Sequence, residues 1–194
     1  MRRITLFATS FATAHIALAG AAALMFAAPS TAALKVGAAA PDFSTQGALA
    51  GKPFPFALST ALKKGPVVLY FYPKTFTSGC TVEAHEFAEA TPDFQKADAT
   101  IIGVSADTIE DITRFSSTEC RNKFAVAVAT PTMIKSYDAA LVMVGINTGR
   151  SNRTSYAIAP DGKILAVHSA LGAEGHVKNM LDAVRKYQAE HKRG

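Results

Sequence analysis

Gly65-Pro66-Val67-Val68-Leu69-Tyr70-Phe71-Tyr72-Pro73-Lys74-Thr75-Phe76-Thr77-Ser78-Gly79-Cys80 is the stretch on which the fold turns. Val67 to Tyr72 is an unbroken apolar, β-prone run bounded by Gly65-Pro66 and Pro73, which predicts a fully buried strand. A loop then delivers Cys80 to the start of a helix expected over Thr81 to Ala97. There Val82, Phe87, Ala88 and Phe94 lie among charges, and Pro92 is a candidate break. Thr100-Ile101-Ile102-Gly103-Val104-Ser105 predicts a second buried strand. Asp107 starts another helix through Ile109, Ile112 and Phe115. Thr154 to Ile158 predicts a third strand, Asp161-Gly162 a tight turn, and Lys163 to His168 its hairpin partner. Gly175 to His191 is an amphipathic helix with Val177, Met180, Leu181, Val184 and Tyr187 on one face. Leu141 to Asn152, with Gly145, Asn147 and Gly149, reads as a loop. Strands alternating with helices, closed by a hairpin and a helix, imply one α/β domain with a mixed sheet flanked by helices.

Composition narrows the function classes. The chain has 194 residues, 49% hydrophobic and 18% charged, which excludes a disordered or collagen-like chain. Two Cys are too few for a disulfide scaffold or a four-Cys zinc site. Net charge is +5, and Arg2 and Arg3 contribute two of those charges. Without them the balance is too mild to argue for a nucleic-acid partner.

Arg2 and Arg3 open a segment with no other Asp, Glu, Lys or Arg before Lys35. It ends in Ala28-Pro29-Ser30-Thr31-Ala32-Ala33, with small residues around a cut after Ala32. A basic start, an apolar middle and a small-residue end make residues 1–32 a secretory signal peptide of bacterial form. The mature domain would then be 33–194, periplasmic or exported. If the leader were retained, its length would serve as a membrane anchor instead. Once it is cleaved, nothing else in the sequence is long and apolar enough to cross a bilayer.

Cys80 is the residue that carries chemistry. The first turn of a helix offers unpaired backbone N–H groups and positive dipole charge, so a thiolate is stabilised there. Thr77, three residues earlier, can turn its hydroxyl back toward the sulfur as an N-terminal cap would. A small buried apolar Cys is the alternative. The loop-to-helix setting favours a reactive thiol.

Pro73-x-x-x-Thr77-x-x-Cys80 after a Phe-Tyr strand resembles the peroxidatic motif of peroxiredoxins. Val36-Gly37 with Ala40-Pro41-Asp42-Phe43 is similar to the family's opening segment. Arg153-x-Ser155-Tyr156-x-Ile158 before Pro160-Asp161-Gly162 is similar to its active-site arginine strand and turn. Glu83 matches the acid of the bacterioferritin comigratory protein (PrxQ) subgroup of this AhpC/TSA superfamily. The resemblance runs from about residue 35 to residue 190.

It implies a thioredoxin-like fold and thiol-dependent reduction of hydrogen peroxide and organic hydroperoxides, with no metal, haem or flavin. Cys80 would attack the peroxide and become a sulfenic acid. Arg153 and the N–H groups near Gly79 and Cys80 would stabilise the leaving oxygen. Thr77 would align sulfur and peroxide, and Pro73 would shield the sulfur. Glu83 is either a participant or a first-turn acid on the helix dipole. The reductant implied is a thioredoxin-like or other dithiol protein, and the subgroup is often monomeric.

Two departures from the subgroup stand out. His85 occupies the position where many members carry a second Cys, and Ser78 replaces a common Pro. Cys120, toward the end of the helix from Asp107, is the remaining candidate for a resolving thiol. A free thiol, leaving a one-Cys peroxidase, and a static structural bridge stay open. A thiol-disulfide oxidoreductase would need Cys-x-x-Cys, which neither Cys offers. A metal module of Cys80, His85 and Cys120 meets the objection that Cys80 and His85 point to different helix sides. His168, His176 and His191 read as surface or rim residues.

Overall fold

The computed structural model describes residues 33–191, so the signal-peptide reading of residues 1–32 lies outside the described residues. Strand β3 (Val67–Phe71) lies in the interior of the sheet, and all five of its residues are buried. It pairs in parallel with β4 (Thr100–Ser105) and antiparallel with β8 (Thr154–Ile158). Burial on both sheet faces explains the continuous apolar runs read from the sequence. Outward from β4 come β5 (Ala125–Val128), β1 (Ser44–Leu49) and the edge strand β2 (Lys52–Ala57). Outward from β8 comes β9 (Ile164–Ser169), giving a mixed seven-stranded sheet of order β2-β1-β5-β4-β3-β8-β9.

Alternation along β3 feeds two cores. Val68 and Tyr70 join Tyr72 beneath α2 (Ser78–Lys96), α3 (Ile109–Thr118) and α5 (His176–His191). Val67, Leu69 and Phe71 meet α1 (Leu58–Leu62) and α4 (Pro131–Ser136) on the other face. Tyr70 lies against Gly103 of β4, where an added Cβ would stand 2.5 Å from its ring. This is the expected α/β architecture of thioredoxin-like type, a central mixed sheet flanked by helices.

Three details differ from expectation. Pro92 does not break its helix, which runs on through Lys96. Phe87 and Ala88 before it and Phe94 after it are buried in one core, and that packing outweighs the backbone hydrogen bond a proline cannot make. Residues 141–152 are not a loop. Strands β6 (Ala140–Met143) and β7 (Ile146–Ser151) form a separate hairpin. Its two-residue turn, Val144-Gly145, has both φ angles positive, as a type I′ turn requires. Residues 44–57 form a hairpin not anticipated, because Pro53 and Pro55 obscure its pattern. Both prolines lie on the sheet edge, where a missing N–H is tolerated.

Candidate active site

The Pro73–Thr77 loop is pinned by residues distant in sequence. Asp107, between β4 and α3, accepts from the Thr75 backbone N–H at 2.7 Å and from Ser105 Oγ at 2.9 Å. Asp107 therefore anchors this loop, and Thr108 caps α3 in its place, accepting from the Asp111 N–H. From β7, Arg150 donates to the Pro73 carbonyl at 3.4 Å and Ser151 Oγ donates to the Tyr72 carbonyl at 2.7 Å. Phe76 sits in the left-handed region at φ 61°. That conformation costs about 1–2 kcal/mol. Its ring stands edge-on to Phe115 at 5.3 Å and under the Arg114 guanidinium at 5.0 Å, which offsets the cost.

Cys80 is the third residue of α2, so its backbone N–H lies among the helix-start donors that have no intrahelical acceptor. Its side chain is 2% exposed. Thr77 occupies the N-cap position, but its hydroxyl makes no capping hydrogen bond. It donates to the Lys74 carbonyl at 3.0 Å and so tightens the loop. Pro73 is half-buried at the end of β3.

Arg153 is a buried cation. It is 4% exposed, and its three donor nitrogens reach three acceptors. Nε donates to the Leu171 carbonyl at 2.8 Å, Nη2 to Cys80 Sγ at 3.4 Å, and Nη1 to Glu83 Oε2 in a tight contact. The i, i+3 spacing of Cys80 and Glu83 puts both on one face of α2 for a single guanidinium to bridge. Burial works against the Arg153 cation, but Glu83 and Cys80 more than restore it. Glu83 is no exposed first-turn acid. It is wholly buried, and desolvation lifts it to about 8 despite the Arg153 charge.

His176 is not a rim residue either. It is wholly buried, 2.8 Å from Ser155 Oγ and 3.6 Å from Glu83 Oε1. Its burial holds it at about 4, a neutral ring at neutral pH. No motif or periodicity pointed to it, because only the packing of α5 against β8 and α2 brings it to Glu83. His168 is half-buried beside it and His191 is exposed.

Cys120 lies just past α3 rather than in it. Like Cys80 it is a free thiol and belongs to the same core. Burial, with a smaller contribution from Glu119, pushes it well above the usual thiol range. His85 is paired with an acid. Its Nε2 is 3.0 Å from Glu119 and links α2 to the end of α3. Among the described residues no group of three or more His, Cys, Asp or Glu could hold a metal ion.

The model of the AhpC/TSA family matches residues 36–167. Peroxiredoxin Bcp of Escherichia coli (strain K12) is 31% identical over 138 residues, which span 64% of this chain and 79% of that protein. Among solved structures, peroxidoxin BcpB from Mycobacterium tuberculosis superposes with a TM-score of 0.70 at 28% identity. The match covers 79% of this chain and 97% of that one. The Xanthomonas campestris bacterioferritin comigratory protein, described for its alkyl peroxide reduction activity, superposes with a TM-score of 0.64 at 26% identity. That match covers 74% of this chain and 91% of the other. A cysteine at a helix start, bridged by a buried arginine to an acid one turn later, thus stands inside the family match, and the chain belongs to the AhpC/TSA family as a peroxiredoxin of the Bcp type.

Proposed function

We propose that this enzyme reduces hydrogen peroxide and organic hydroperoxides through the Cys80 thiolate. The observation that carries the reading is the Arg153 guanidinium, 3.4 Å from Sγ at the positive end of α2. The alkyl peroxide reduction described for the Xanthomonas relative supports the same substrate class. The thiolate attacks one peroxide oxygen, the O–O bond breaks, and the sulfur becomes a sulfenic acid. The second oxygen takes up a proton and leaves as water or alcohol. Arg153 and the free N–H groups at Gly79 and Cys80 stabilise the charge on that oxygen. Thr77 and Pro73 shape the loop over the sulfur. Glu83 holds the second arm of the guanidinium.

Cys120 then attacks the sulfenic acid, releasing water and leaving an intrachain disulfide. Both thiols are free and buried, and the bond needs their α carbons within about 7 Å, which local unwinding at the start of α2 or the turn after α3 would supply. A protein dithiol of thioredoxin type returns the pair to thiols and is itself oxidised. With the leader removed after Ala32, the enzyme works as a monomer in the periplasm.

The test is one equivalent of peroxide followed by thiol mapping. A Cys80–Cys120 disulfide that forms with peroxide and reverses with dithiol is the expected result. Sulfenic or sulfinic acid at Cys80 with Cys120 still free rejects Cys120 as resolver. Full peroxidase turnover in Cys80→Ser overturns the whole reading.

A further inference from the structure

Glu83 has one carboxyl oxygen engaged and one idle. Oε2 accepts from Arg153, whereas Oε1 has no hydrogen-bond partner among the described residues. Oε1 faces His176 Nδ1 at 3.6 Å, with both side chains wholly buried. The imidazole is fixed from two sides. Nε2 lies 3.1 Å from the Ala170 carbonyl, which can only accept, so Nε2 carries a hydrogen. Nδ1 lies 2.8 Å from Ser155 Oγ. Nδ1 therefore accepts from the Ser155 hydroxyl, and the neutral ring presents no hydrogen to Glu83.

The charge balance shows what this arrangement does. Facing this cluster are Cys80, Glu83 and Glu86 from α2, Arg153 ahead of β8, and His168 from β9, edge-on to His176 at 4.5 Å. Glu86 lies at the half-buried border, with Glu89 and Glu174 around it. Inside the cluster Arg153 is the one permanent cation. A Cys80 thiolate together with a Glu83 carboxylate would leave one negative charge without a counter-charge in a dry site. One bound proton removes that excess.

We propose that neutral His176, by presenting no hydrogen to Oε1 and holding the Ser155 hydroxyl on Nδ1, leaves Glu83 its own proton, making His176 a positioning residue that leaves the Arg153 charge to the Cys80 thiolate. The proposal rests on the reading of Cys80 as the reacting sulfur. With the proton on Glu83, the acid still accepts from Arg153 through Oε2 but no longer competes for its charge. Without the Nδ1 acceptor, the Ser155 hydroxyl is free to donate to Oε1, the carboxylate regains its claim on the guanidinium, and the Cys80 thiolate loses its counter-charge. His176→Phe keeps a ring of similar size, removes the acceptor and frees the Ser155 hydroxyl for the carboxylate.

The test follows the thiolate absorbance of Cys80 in the ultraviolet as pH is raised. In His176→Phe the ionisation midpoint is expected to move up by about half a pH unit or more. His176→Gln, whose side-chain carbonyl can accept, is expected to restore most of it. In a Glu83→Gln background, where residue 83 cannot ionise, His176→Phe should leave the midpoint in place. Independently, the infrared spectrum of the unsubstituted enzyme at neutral pH should contain a buried protonated carboxylic acid that Glu83→Gln removes. That measurement needs no variant at residue 176. An unmoved midpoint, an equal shift in both backgrounds, or the absence of that acid overturns the proposal. Loss of the peroxidase reading is a separate outcome: Cys80→Ser would turn over peroxide while the infrared signal stayed.

Discussion

Gly79 stands where Arg153 needs open space: a Cβ on residue 79 would lie 3.2 Å from Nη2, the nitrogen that reaches Cys80. Arg153 cannot step aside freely, because Leu171 and Glu83 hold its other nitrogens. Gly79→Ala should therefore push Nη2 off the sulfur by a few tenths of an ångström. We expect kcat/KM for peroxide to fall about three- to tenfold with stability nearly unchanged, since small displacements at a reacting centre are costly. Steady-state peroxide consumption beside a urea melt checks both halves.

Arg153→Lys retains a positive charge but not the fork. An ammonium is a point charge and cannot satisfy Cys80, Glu83 and the Leu171 carbonyl in one plane. A loss on the order of 10²-fold or more in kcat/KM is expected, the scale of removing one preorganised donor. Rates within twofold of the parent would show that the guanidinium geometry is unimportant.

Stability should respond to pH on two limbs with opposite signs. His176 is lowered in the folded state from 6.5 to about 4, so the unfolded chain takes up a proton first as pH falls. Its contribution is present above 6.5 and is lost as pH drops toward about 4. Glu83 is raised from 4.5 to about 8, so the unfolded chain gives up its proton first as pH rises. Its contribution is complete below 4.5 and is lost as pH climbs through about 8. Urea midpoints across this range should flatten on the acid side in His176→Phe and on the alkaline side in Glu83→Gln.

Gly103→Ala tests the core beneath the site. The new Cβ would stand 2.5 Å from the ring of Tyr70, which is stacked on Phe87 at 4.3 Å and has no room to withdraw. Destabilisation of roughly 1–3 kcal/mol is expected, the range for overpacking a buried site. Chemical denaturation measures it directly.

Cys120→Ser separates the two halves of the cycle. The first step should survive, and a sulfenic acid at Cys80 should accumulate and react with a dimedone-type trap. Turnover supported by dithiol should fall at least about tenfold, since resolution loses its intramolecular advantage. Unchanged turnover would point to a direct attack of the external thiol on Cys80.

Much of the fold was legible because burial on both sheet faces writes itself as unbroken apolar runs. Thr100 to Ser105 and Thr154 to Ile158 coincide with β4 and β8. The hairpins β1–β2 and β6–β7 were not legible, since prolines and glycines at strand edges and turns carry the same letters as loops. At the site, Cys80, Glu83 and Arg153 were named from their motif. Thr77 stands at the helix start as expected, and its hydroxyl donates to the Lys74 carbonyl, a partner the motif did not name.

The sequence alone determined that a thiol follows a buried strand at the start of a helix, with an acid one turn further on. Local residue order suffices for that, because helix starts and strand runs are set within a few residues. Only the tertiary structure decided that Arg153, His176, Asp107 and Arg150 converge on that turn. They come from three separate stretches of the chain, Asp107 after β4, Arg150 and Arg153 about the β7–β8 junction and His176 at the start of α5, and sheet pairing and helix docking alone determine which of them share a dry, low-dielectric site. It is there that burial raises Glu83 and lowers His176, and no single stretch of residues encodes it.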